Sequence, residues 1–350
     1  MPKKKRLKKR NPGGRSTTNV AARAGGSGKF SSLSPELARK IYTALVRCRK
    51  FEEKIVEVYG EKEMRCPTHL SLGQEGAAAG VSVNLRKDDL VFSTHRCHSH
   101  TIAKGGDFKL MFAELYGKEA GCSKGKGGSM HFVQPDIGLM GASAIVGGSV
   151  PLAVGAALAA KMQGKDIVSV AYFGDGGIEQ GAFHESMNFA SLKKLPVIFV
   201  CENNFLATCT WLSVRQPYQD LYRRAAGYGV PGVQVDGTKV LEVYEAARQA
   251  VEHARSGKGP FMIEAICCRW KEHVGPNEDT HLGFRTKEDL EEWKKKDPVK
   301  LFEKLLIEKN IVIKEDLEKI SNDVQSQINE AVAFSKQAPF PKPEALYENV

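Results

Sequence analysis

Residues 167–204 read IVSVAYFGDGGIEQGAFHESMNFASLKKLPVIFVCENN. Ile167 to Phe173 is a short run rich in β-forming residues, as expected of a strand buried on both faces. It stops at Gly174-Asp175-Gly176-Gly177, where glycine lets the backbone turn sharply beside a ligand. Phe183, Met187, Ala190 and Ser191 to Leu195 then recur at three- and four-residue spacing, Leu195-Pro196 ends the helix, and Val197 to Cys201 is a second apolar run. The pattern predicts a βαβ unit with two parallel neighbouring strands, and so a doubly wound α/β fold. Asp175 and Asn204, 29 residues apart, then sit side by side past the carboxyl ends of those strands. Ligands bind at that edge of open α/β sheets. A carboxylate and an amide oxygen are hard donors that suit magnesium carrying a diphosphate. The bland alternative is a helix cap at Asp175 and a polar turn at Asn203-Asn204.

The net charge of +10 suggests nucleic acid until it is located. Residues 1–30 contain ten Lys and Arg and no acid, so the other 320 residues balance to zero. Residues 1–32 therefore read as a solvated basic tail, without the apolar core of a secretory signal. The remainder divides into a domain over 33–310 and a C-terminal helix and tail over 311–350. The eight cysteines include no Cys-x-x-Cys pair, which argues against a disulfide framework and fits a reducing, cytoplasmic compartment. No apolar run reaches the roughly 18 residues of a membrane span. The longest, Val146 to Ala160, reads as a buried, close-packed helix.

GDG followed at this interval by NN resembles the thiamine-diphosphate fingerprint. The surrounding residues resemble the alpha subunit of the decarboxylating component of 2-oxo acid dehydrogenase complexes, of the pyruvate or acetoin dehydrogenase type, over about residues 33–310. The resemblance implies the thiamine-diphosphate-binding fold, with thiamine diphosphate and Mg2+ as cofactors. It assigns the metal to Asp175, Asn204 and the carbonyl of Leu206. It assigns the rest of the cofactor to His95, Arg96, Ala144, Val146, Gly176, Gly177, Arg269 and His273. Arg96 suits a diphosphate because its planar fork pairs bidentately with phosphate oxygens. His69 and His273 are the expected catalytic residues, as proton donors near the reacting carbonyl. The Gly-rich basic stretch Gly121 to His131 resembles a loop close to the family's active site; it lacks the Ser or Thr that a P-loop needs. This chain departs from the family with His95 in place of Tyr, Ala144 in place of Gly, Lys271-Glu272, and Val274 where animal relatives carry a phosphorylatable Ser.

The family further implies a beta subunit supplying the carboxylate that activates the cofactor, in an α₂β₂ heterotetramer. A lipoyl acyltransferase component would receive the acyl group, and a 2-oxo acid such as pyruvate would be the substrate. Acetoin cleavage by the same machinery is the near alternative. From other classes come nucleic-acid binding through the tail, which the balanced fold argues against, and a zinc hydrolase built on His95, His98 and His100.

Overall fold

The computed structural model describes residues 33–64 and 66–348, so the basic tail expected over 1–32 lies outside the described residues. Helix α1 (Pro35–Val58) starts at Ser34, whose hydroxyl accepts from the Leu37 amide, with proline at the first position. Helix α2 (Glu75–Ser82) precedes strand β1 (Leu90–Thr94), and α3 (His98–Ala103) and α4 (Phe108–Leu115) lead to β2 (Leu139–Ser143). Next come α5 (Ser149–Met162), β3 (Ser169–Gly174), α6 (Gly181–Leu192) and β4 (Val197–Asn203), the βαβ unit expected from residues 167–204. A two-strand ribbon, β5 (Leu206–Ala207) and β6 (Thr210–Trp211), and the short α7 (Leu212–Arg215) follow. The described chain continues with β7 (Gly232–Asp236), α8 (Val240–Arg255), β8 (Phe261–Ile266), α9 (Lys287–Lys294), α10 (Pro298–Glu308) and α11 (Lys314–Gln337).

Six strands form one parallel sheet in the order β2-β1-β3-β4-β8-β7. Alternate residues serve opposite layers, because strand side chains alternate in direction. Val170, Tyr172, Ile198, Val200 and Ile263 join the core under α1, α2, α8 and α11. Ala171, Phe173, Phe199, Cys201 and Met262 join the core under α5 and α6. The path leaves β1 outward to β2 and returns to β3 on β1's other side. The strand order therefore reverses at the β1/β3 boundary, the position where a doubly wound sheet opens a crevice.

Two expectations change. Helix α5 is not buried all round: Leu152, Gly155, Ala159 and Met162 are exposed, and only the stripe through Val150, Ala153, Val154, Ala157 and Ala160 faces the sheet. A glycine- and alanine-rich helix looks uniformly apolar in sequence, so composition alone hides which stripe is covered. The C-terminal helix α11 is part of the main core, with Leu317, Val324, Ile328 and Ala331 packed in the same cluster as α1. No helix of the described residues is long and apolar enough to cross a membrane.

Candidate active site

A cleft of about 200 Å³ opens at the carboxyl edge of the sheet, over the β1/β3 switch point. Thr94, His95 and Arg96 reach it from the end of β1, and Gly174 to Gly177 from the end of β3. Asn204, Leu206, Ala207 and Thr208 follow β4, while Ala144 to Gly147 precede α5. Two further loops contribute His69 and Gln74, and His273. These loops are laced together: the Trp270 amide donates to the Leu72 carbonyl at 2.9 Å and the Gly275 amide to the Thr68 carbonyl at 2.8 Å. Gly73 (φ 92°) permits the approach, since a Cβ there would lie 2.4 Å from the carbonyl oxygen of Cys268.

The oxygen donors expected for a metal share this cleft. Asp175 is buried, and burial raises its carboxyl pKa while the Arg215 guanidinium works in the opposite direction. Arg215 pairs with both Asp175 and Glu179. The Asn204 side chain is held in both directions: its Nδ2 donates to Gln74 Oε1 at 3.0 Å, and its Oδ1 accepts from the Leu206 amide at 3.2 Å. Its neighbour Asn203 faces inward instead, donating to Glu264 Oε1 at 2.7 Å. A carboxylate, an amide oxygen and a carbonyl oxygen form the kind of hard set that magnesium takes, and the donors present fit it.

Three histidines converge at the cleft. Candidate ligand nitrogens of His69, His95 and His273 all lie within 4.8 Å of one another, with ring centroids 4.7 Å (His69–His95), 5.1 Å (His69–His273) and 5.5 Å (His95–His273) apart. Burial, followed by nearby positive groups, pushes all three pKa values down. His69 falls to about 2, with His95 and Arg96 contributing. His95 falls to about 3 beside Arg96 and His273. His273 falls to about 4 beside Arg96 and Arg269. At neutral pH all three are therefore neutral imidazoles, each offering one N–H and one lone pair. Nδ1 of His69 is buried with no hydrogen-bond partner, as befits a group directed at a ligand.

Arg96 is buried, anchored through Nη1 to the Leu70 carbonyl and through Nη2 to the His273 carbonyl at 3.4 Å. Burial, helped by Arg269, lowers its pKa to about 10, so it remains a cation at neutral pH.

Arg269 is not brought to the cleft. Its Nη1 donates to Asp279 Oδ2 at 2.7 Å and to the Lys271 carbonyl at 2.6 Å, and its Nη2 donates to the Thr208 carbonyl at 2.9 Å. Asp279 also receives Arg285. This closed ion cluster braces the loop that carries His273, so Arg269 supports the site from behind. The zinc grouping of His95, His98 and His100 also fails. His98 bonds Glu52 (3.1 Å) and Ser129 (2.8 Å), whereas His100 bonds Ser93 at 2.7 Å and stacks on Tyr172. His98 and His100 stand two apart on α3, and helical positions i and i+2 do not face the same way.

Sequence reasoning passed over Gln74, Glu202 and Arg215. Gln74, on the same loop as His69, accepts from Asn204 at 3.0 Å and donates through Nε2 to Glu202 Oε2 at 3.2 Å. Its position at the start of α2 was visible, but its reach to Asn204, 130 residues away, was not.

A parallel, doubly wound α/β protein with an oxygen-donor and cationic cleft at its switch point is a cofactor-binding enzyme subunit by class. The chain belongs to the dehydrogenase E1 component family, whose description matches residues 43–344. It is 41% identical over 320 residues to the alpha subunit of acetoin:2,6-dichlorophenolindophenol oxidoreductase from Bacillus subtilis, covering 91% of this chain and 95% of that one. It is 39% identical to the Cupriavidus necator protein of the same name, covering 95% and 99%. It is 36% identical to the pyruvate dehydrogenase E1 component subunit alpha of Rhizobium meliloti, covering 92% of each chain. The chain is thus an alpha subunit of an oxidoreductase of this family.

Proposed function

We propose that this subunit holds thiamine diphosphate through Mg2+ and, with a beta subunit, oxidatively decarboxylates a 2-oxo acid such as pyruvate, passing the acyl group to a lipoyl acyltransferase component. The observation that carries the reading is the convergence of Asp175, Asn204, Leu206 and Arg96 on one cleft at the strand-order reversal. Asp175, Asn204 and the Leu206 carbonyl would hold the metal, and Arg96 with the Gly176-Gly177 turn would hold the diphosphate. When bound, thiamine diphosphate supplies a nucleophilic carbon and an electron sink.

The chain's own residues bind, orient and move protons. Arg96 stays charged and fixed, so it meets phosphate oxygens without reorganising. Neutral His69, His95 and His273 donate N–H bonds to anionic oxygens or accept a proton at a free nitrogen. An anion placed against them raises their pKa towards the working range.

A cleft of about 200 Å³ is smaller than the roughly 300 Å³ at which small-molecule sites usually begin. That supports a site completed by a second chain. The exposed Ile145 and Val146 at its rim and Leu152 and Met162 on α5 support the same conclusion. A cytoplasmic setting agrees with eight unpaired cysteines.

A second reading, acetoin cleavage, draws on the relatives at 41% and 39% identity that carry acetoin in their names. Titration of the assembled enzyme with thiamine diphosphate in a calorimeter should give magnesium-dependent binding that Asp175→Ala abolishes. Turnover with pyruvate against acetoin, read with a dye acceptor, then selects the substrate. Binding that ignores magnesium, or survives Asp175→Ala, overturns the reading.

A further inference from the structure

A second cavity, of about 380 Å³, lies between α1 and the carboxyl ends of α2 and α3. Five cationic residues line it, Lys40, Arg47, Arg86, Lys87 and Lys104, and no carboxylate does. Backbone carbonyls hold several of these cations in place. Lys40 Nζ donates to the Val83 carbonyl at 3.0 Å, Arg47 Nη2 to the Gly106 carbonyl at 2.7 Å, and Lys104 Nζ to the carbonyls of Arg86 and Lys87.

Of the nearby acids, only Asp166 pairs with a cavity cation, Arg86, and that cation is thereby neutralised. Asp89 is buried against Arg255, Asp107 caps α4, and Asp166 is shared by Arg86 and Arg255. Asp88 is the remaining acid whose charge acts on Lys104. The wall beneath the cations is apolar, made by Ala44, Val83, Ile102 and Ile137.

Arg47 and Lys104 are half-buried while Lys40, Arg86 and Lys87 are exposed at the rim, and like charges gathered this closely favour an anion among them. Burial lowers the pKa of both Arg47 and Lys104, the signature of cations removed from water without full compensation. The Lys40 ammonium, fixed by one carbonyl bond, keeps two donors, and the Lys104 ammonium, fixed by two, keeps one. The apolar wall offers a surface that a bare inorganic anion would leave uncovered.

We propose that this cavity binds a small phosphorylated organic molecule of the nucleotide class, with its phosphates among the four cations not paired to a carboxylate, Lys40, Arg47, Lys87 and Lys104, and its ring against the apolar wall. Its volume falls within the range usual for small-molecule sites. The site is separate from the cofactor cleft, although α2 and α3 join the two: Gln74 precedes α2 and Arg96 precedes α3, both in the cleft.

The test uses the alpha–beta assembly saturated with Mg2+ and thiamine diphosphate, so that the cleft is filled. Calorimetry with ADP should give saturable binding that weakens as salt is raised. Inorganic diphosphate should bind at least about tenfold more weakly, since it cannot cover the apolar wall. The double variant Lys40→Gln/Lys87→Gln should weaken ADP by about tenfold or more. Thr43→Phe, which fills the cavity and keeps its charge, should block ADP. Both variants should melt with the wild type in the absence of ADP; a variant that melts lower is replaced by the other as the deciding case. The proposal falls if ADP shows no saturable binding, or if neither variant alters it. It falls equally if inorganic diphosphate binds as tightly as ADP, which would leave a plain anion site.

Discussion

At the scale of single residues, the site's character comes from groups held in unusual charge states. His69, His95 and His273 are kept neutral in the fold but titrate near 6.5 when unfolded. The unfolded chain therefore binds more protons below pH 6.5, and stability falls as pH drops from 6.5 towards 4 and beyond. Each imidazole contributes a slope of up to about 1.4 kcal/mol per pH unit. Denaturant unfolding of the cofactor-free assembly between pH 7 and pH 4.5 should reveal this loss. A variant with all three replaced by Gln should lose less over the same range, and parallel curves would refute the assignment. Arg215 invites a second prediction, because its guanidinium occupies the carboxylate assigned to the metal. Arg215→Gln should tighten magnesium-dependent cofactor binding severalfold in a calorimetric titration, as one competing cation is removed. Weaker binding would mean that Arg215 belongs to the bound state.

At the scale of elements, the Gly-rich loop 121–131 shows how tertiary contacts fix a segment that has no periodicity of its own. In the fold it wraps around one carboxylate from α4: Glu114 accepts from the amides of Ser123 (2.7 Å), Gly125 (2.9 Å), Gly127 (2.7 Å) and Gly128 (2.9 Å). That ring sets the backbone leading to Met130 in the cleft wall. A neutral amide cannot accept at both ends, so Glu114→Gln strands at least one buried amide at a cost of about 1–3 kcal/mol. Trypsin should then cut at Lys124 or Lys126 in the native variant and spare the wild type.

Helices α1, α2 and α10 meet at another charged knot. Arg49 Nε donates to Glu75 at 2.7 Å, and its Nη1 and Nη2 donate to Asp297 at 2.8 and 3.0 Å. Asp297→Ala should lower stability by about 3 kcal/mol or more in denaturant melts, since it removes an α10 cap and leaves a buried cation half paired.

At the scale of the whole molecule, the proposed reading gives this chain the cofactor's anchor and leaves the carboxylate that activates it to the beta subunit. The purified chain should therefore show no turnover of pyruvate or acetoin by itself. Adding the beta subunit should restore turnover together with magnesium-dependent uptake of the cofactor. Activity of the lone chain would remove the two-chain site from the account.

The βαβ unit, the parallel sheet and the placement of Asp175 and Asn204 at its carboxyl edge were legible because they obey local rules. Strand and helix periods, glycine at the turn and a fixed interval between strand ends all lie within 38 consecutive residues. Arg96 and the histidines were legible only through resemblance, since each stands in a loop whose partners are far away in sequence. Tertiary structure decided the rest: that His95 turns to His69 and His273, that His98 and His100 turn inward, and that Arg269 is consumed by Asp279. Sequence spacing determines direction along a strand or a helix, where the backbone repeats. Where loops from opposite ends of the chain meet, direction depends on packing and charge, which exist only once the chain has folded.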